Sequence, residues 1–135
     1  QLMIWKAAGL LEAKRKELKA GESLKVFIAA VDQGEKNLVL NMLEGEGKNE
    51  LANRLQTLDY IKLVNITANG ANQYRAEVRF SFDKTPAQYS RCLQIKMIKC
   101  DQGWLVPTTA IQALLDGKSR VKTETALKFY EDEEN

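Results

Sequence analysis

The hydrophobic repeat of this 135-residue chain switches from helical to extended at Asp59, and that switch limits the folds open to it. Before it, Leu24, Phe27, Ile28 and Val31 recur at i, i+3, i+4 and i+7, one face of a helix. Ser23 stands where an N-cap hydroxyl would satisfy an orphan amide. Gly34, within "DQGEKN", supplies the left-handed residue that ends such a helix. Val39, Met42 and Leu43 resume the period until "EGEGK" breaks it, and Leu51, Leu55 and Leu58 predict a third short helix. Residues 4–20, rich in Ala, Lys, Glu and Leu, read as a further helix with a weaker apolar face.

After Asp59 the period is two. In "NQYRAEVRFSF", Tyr74, Ala76, Val78, Phe80 and Phe82 alternate with Arg75, Glu77, Arg79 and Ser81, a strand with one buried and one wet face. Asn69-Gly70 is a strong hairpin signal. As a two-residue turn it pairs Ile61 with Val78, Leu63 with Ala76 and Lys62 with Glu77. The wet face then carries Tyr60, Lys62, Val64 and Ile66 opposite Arg79, Glu77, Arg75 and Gln73. Leu93, Ile95 and Met97 share a face of the next strand, and the alternation slips at Ile98, where a bulge is expected. "DQG" turns the chain into "WLV", which Pro107 ends. Thr108 or Thr109 starts a last helix that packs Ile111, Leu114 and Leu115 and stops at Gly117.

Helices, then a four-stranded antiparallel meander, then a helix: that order predicts an α+β domain with the helices packed on one face of the sheet. The domain spans 21–117. Residues 1–20 form an N-terminal helix or linker, and 118–135 form a polar segment ending in "YEDEEN".

Composition narrows the chemistry. There is no histidine, so the commonest general base and zinc ligand are missing, as are Ser-His and Cys-His pairs. No Walker A loop, GxGxxG or acidic calcium loop occurs. Cys92 and Cys100 lie in one extended run, roughly 26 Å apart at ~3.3 Å per residue, too far for a disulfide. A net charge of +2 averages a basic start, six bases against three acids in residues 1–25, with an acidic end. The basic run has no interleaved aromatics, and no nucleic-acid partner is expected. No apolar run reaches the ~20 residues of a membrane helix. The opening "QLMIWKAAGLL" lacks an initiator Met, so a signal or anchor removed before Gln1, or a boundary cut there, is expected; membrane association is expected only through such an anchor.

"FIAAVDQGEKNLVLNML", followed by the meander and the late "DQGWLV" hairpin, resembles the NTF2-like (cystatin-like) superfamily over Gly21 to Val106. It is most similar to small bacterial secreted, lipid-anchored or secretion-machinery domains. No strand is legible between Leu43 and Asn49, where that fold carries a short hairpin. The resemblance implies a cone of helices and curved sheet, lined or filled by Phe27, Val31, Ile61, Leu63, Val78, Phe80, Leu93, Ile95 and Trp104. It also implies dimerisation through the outer sheet face, with Tyr60, Lys62, Val64, Ile66, Arg75, Glu77 and Arg79 as the interface.

The first expectation is therefore a non-catalytic protein-interaction or assembly module of a bacterial envelope or secretion-associated protein. Its place would be periplasmic or at the cell surface, with the cytoplasm as the other compartment. The alternative is a carrier or sensor of a small apolar ligand in the cone, which needs ~300 Å³ or more. An isomerase- or dehydratase-like enzyme ranks below both. Such chemistry needs a carboxylate aimed into the cone, whereas Asp32 sits at a helix corner, Asp59 at a strand entry and Glu77 on the wet face. No catalytic residue, cofactor or metal is assigned.

Overall fold

The computed structural model describes residues 18–82 and 88–117. The expected helix over 4–20 and the acidic C-terminal segment lie almost wholly outside the described residues. Four helices are described: α1 (Ala20–Gln33), α2 (Lys36–Met42), α3 (Lys48–Leu55) and α4 (Thr108–Asp116). The strands are β1 (Leu43–Glu44), β2 (Leu58–Ala68), β3 (Gln73–Phe82), β4 (Tyr89–Lys96), β5 (Ile98–Cys100) and β6 (Gly103–Pro107). Helices precede strands and a helix closes the series, so the architecture is α+β.

Helix α1 begins three residues before Ser23. Glu22 Oε1 accepts the Lys19 N–H at 3.0 Å, half of a capping box, so the first turn forms earlier and Ser23 is buried inside it. Gly34 ends α1 as expected, at φ 75°, with its N–H on Val31 O and the Glu35 N–H on Ala30 O. Leu58 is not the end of the third helix. It opens β2, because α3 stops at Leu55.

The sheet differs in three places. The turn after β2 is longer than Asn69-Gly70: Asn69 N–H donates to Gln73 O at 2.8 Å, with Asn72 at φ 59° inside the loop. Pairing therefore runs Ile61 with Phe80, Lys62 with Arg79 and Leu63 with Val78. This slip is two residues, which preserves the faces of Ile61 and Leu63 but sets Lys62 against a like charge. Next, a bulge between Leu63 and Asn65 flips the parity, so Ile66 pairs with the buried Ala76 and joins the inner face. Finally, the expected bulge at Met97 is a break between two sheets, β2-β3-β4 and β1-β6-β5. Met97 is buried there and its N–H donates to Asn72 O at 2.9 Å. The sequence hid β1, two residues long and parallel to β6, because so short a strand has no period of its own.

Asn72 is the described non-glycine residue at positive φ, a conformation its short polar side chain tolerates. Asn72→Ala should cost about 1 kcal/mol in urea unfolding and Asn72→Gly should be near neutral. Equal losses in both would show that the side chain, not the backbone, matters.

Candidate functional site

One continuous apolar core joins all four helices to both sheets. Of the residues expected to line a cone, Phe27, Val78 and Phe80 have no exposed surface, and Val31, Ile61, Leu93 and Ile95 are buried with them. They fill the interior. Leu63 is half-buried at its edge. Trp104 is half-buried too, packed on the core from β6 and covered by Lys99 Nζ at 5.0 Å from the ring.

Sequence reasoning missed Arg91. By strand parity it shares the face of Leu93, and it pairs with Val78 on the inner side of β4. Its guanidinium lies 4.7 Å from the Tyr89 ring centre and 5.4 Å from that of Phe80, and those two rings stack 5.4 Å apart. Nη1 donates to Leu114 O at 2.7 Å and Leu115 O at 3.0 Å, the last carbonyls of α4. A cation at a helix C-terminus meets both the orphan acceptors and the negative end of the dipole. Arg91 thus fastens α4 to the sheet. Counting outward from Leu93 by two would have found its position, but not its partners.

The outer sheet face is less apolar than expected, since Ile66 has left it. Lys62, Arg75, Arg79 and Lys96 are exposed there, against the half-buried Glu77. Glu77 Oε2 accepts from Ser90 Oγ at 3.4 Å, and Arg75 Nη2 reaches Cys92 Sγ at 3.7 Å. Tyr60 is half-buried opposite Ser81, with Lys62 Nζ 6.0 Å from its ring centre. Neither Cys92 nor Cys100 is in a disulfide. Among the described residues no three Cys, Asp or Glu side chains cluster to hold a metal, and no helix is long and apolar enough to cross a membrane.

An open groove lies not in the cone but beside it. Helix α1 packs along β2 in the opposite direction: Asp32 meets Ile61 at one end, and Gly21 passes the Tyr74 ring, whose strand partner is Ala68, at the other. Between them runs an open groove of about 560 Å³, walled by Lys25, Ile28, Ala29 and Asp32 from α1 and by Ile61 through Ile66 from β2. The four helix residues fall at i, i+3, i+4 and i+7, a stripe that lies partly against the core and partly over the groove. Val64, thrust out by the bulge, is 47% exposed, the most exposed large apolar residue described.

Asp32 has a definite task at this edge. Its Oδ1 accepts the Ile61 N–H at 3.2 Å, so that amide faces α1 rather than β3. The "DQGEKN" corner is therefore structural in two ways: Gly34 stops the helix and Asp32 ties off one group of a strand edge that no described strand pairs. Asp32→Ala should speed hydrogen exchange at Ile61 and cost about 1 kcal/mol or less, given how exposed the carboxylate is. Exchange at Ile61 unchanged in the variant would show that water serves the amide equally well.

No family model matches this sequence, and no curated protein matches it. A solved structure whose title begins Rd1NTF2_05 is similar, at 14% sequence identity and a TM-score of 0.47, over 64% of this chain and 90% of that one. The α+β assignment stands on the strand pairing and packing of the chain itself.

Proposed function

We propose that this chain is a non-catalytic protein-interaction module on an NTF2-like scaffold, working in a bacterial envelope or secretion assembly. One observation carries the interaction reading: among the described residues the interior is filled, while an edge of β2 that no described strand pairs, with an exposed apolar residue, borders an open groove. Unpaired edges invite another chain, and proteins that keep one accessible commonly use it. The exposed cations beside that edge favour an acidic contact surface. Extracytoplasmic placement and self-association belong to the same proposal and rest on the sequence resemblance.

A photo-reactive residue at position 64, compared with one at Glu50 on the helical side, tests it in the cells of origin. Discrete protein adducts at position 64 and none at position 50 are expected. No adducts at position 64 would remove the module reading.

A second reading is kept because the groove's volume falls within the range of small-ligand sites. On it, a small apolar molecule would lie in the groove rather than in the cone. Native mass spectrometry of fresh protein, against a denatured control, separates the two: added mass lost on denaturation supports the carrier, a clean protein assembly the module.

A further inference from the structure

Resting on the interaction-module reading, we infer that the free edge of β2 accepts an added strand: an extended segment of a partner protein in which apolar residues alternate with Asp or Glu. Three features specify that occupant.

The first is the backbone. Ile61 directs its N–H away from β3, as the bond to Asp32 establishes, and pairing is regular from Ile61 to Leu63. By the two-residue period the N–H and C=O of Leu63 also point away from β3. Among the described residues no strand pairs with β2 on that side. Asp32 closes the edge at Ile61 and leaves it open at Leu63, so another backbone has one defined place to start.

The second is the floor. A strand laid along β2 sends alternate side chains towards α1, where Ile28 and Ala29 line the groove with Leu63 and Ile66. Apolar residues suit those positions.

The third is charge. The remaining side chains of the added strand point to the outer face, beside Lys62 and, one strand further in, its cross-strand neighbour Arg79. Lys25 stands at the groove's rim, and both lysines are exposed. Asp32, the one acid among the groove-lining residues, is already engaged by Ile61. Acidic residues therefore fit where basic ones would be repelled. A second copy of β2 fits less well, because it brings its own Lys62 and the Val64 bulge, two features that oppose pairing of identical edges.

The test uses the full chain and a short fluorescein-labelled peptide of alternating valine and glutamate. Its counterparts are a valine–lysine peptide and a peptide of the same valine–glutamate composition in two blocks. Anisotropy should show the alternating acidic peptide binding roughly tenfold tighter than either, about the effect of one or two exposed ion pairs and a matched register. Hydrogen exchange at Leu63 should slow on binding. Lys62→Glu should weaken the acidic peptide and strengthen the valine–lysine one, a gain that a misfolded variant could not produce. Equal binding of all three peptides, unchanged exchange at Leu63, or indifference to Lys62→Glu would overturn the inference. So would failure of every peptide to bind, whether a second copy or the chain's own acidic end holds the edge. Adducts at position 64 alongside any of these results would leave the module reading standing; absence of adducts removes both.

Discussion

Gly45→Ala should destabilise the protein by about 3 kcal/mol, the largest effect expected of so small a change. Two separate costs meet at this residue. Gly45 has φ 130°, a backbone conformation that L side chains rarely adopt, which costs on the order of 1–3 kcal/mol for alanine. The added methyl would also overlap Thr108 Oγ1 and lie 3.4 Å from Thr108 Cβ. Thr108 is 2% exposed and opens α4, so it cannot swing away without disturbing that helix. The close approach follows from β1: Leu43 and Glu44 run parallel to Val106 and Pro107, and the next residue of each strand arrives at the same point. The double variant Gly45→Ala/Thr108→Ala separates the costs. It should restore the steric part, leaving about 1–2 kcal/mol relative to Thr108→Ala alone. Urea unfolding of the four proteins decides the matter; a Gly45→Ala loss below ~1 kcal/mol would mean that the loop relaxes freely.

Arg91→Leu should cost about 3 kcal/mol, although it replaces a charged residue on the inner face with an apolar one. Exchanging a buried ion pair for hydrophobic side chains is often neutral, because both charges go together. At Arg91 that exchange would be incomplete. Two of its acceptors are main-chain carbonyls, Leu114 O and Leu115 O, which remain whatever residue occupies position 91. Losing charge-assisted bonds to them costs ~1.5–3 kcal/mol, and the stacking on Tyr89 and Phe80 about 1 kcal/mol more. Leucine's own burial offsets part of this. Arg91→Lys should fall between the two, keeping a charge at the helix end but losing the planar fork that stacks and donates together. Thermal or urea unfolding should rank the series Arg, Lys, Leu. Hydrogen exchange in α4 should rise in the same order, since Arg91 is a tie between that helix and β4. Leucine as stable as arginine would mean that water or another side chain serves the α4 carbonyls.

The two sites differ in how far the sequence reveals them. Gly45 sits in "EGEGK", which reads as a helix breaker and nothing more, because its neighbour Thr108 is brought up by a parallel pairing two residues long. Arg91 lies on the apolar parity of its strand, but the α4 carbonyls that accept from it are 23 and 24 residues away in the chain. The groove was likewise half-visible. Alternation places Ile61 and Leu63 on the inner face and Val64 on the exposed one, and a slip of two residues leaves both faces intact. Alternation misplaces Ile66, because a single bulged residue reverses parity and no residue type marks it.

The sequence by itself determined the class of fold: the period of 3.6 before Asp59, the period of 2 after it, and the stops at Gly34 and Gly117. Those are local properties, set by backbone geometry and by which face of one element is apolar. Only the tertiary structure decided the register of β2 on β3, the break at Met97, the parallel β1–β6 contact and the β2 edge beside α1 that no described strand pairs. Each of these depends on where two distant segments meet, and alternating side chains accept every even-numbered slip almost equally well. Loop length, one bulge and the fit of α1 against β2 selected among those registers, and with them selected which polar groups of β2 no described strand pairs.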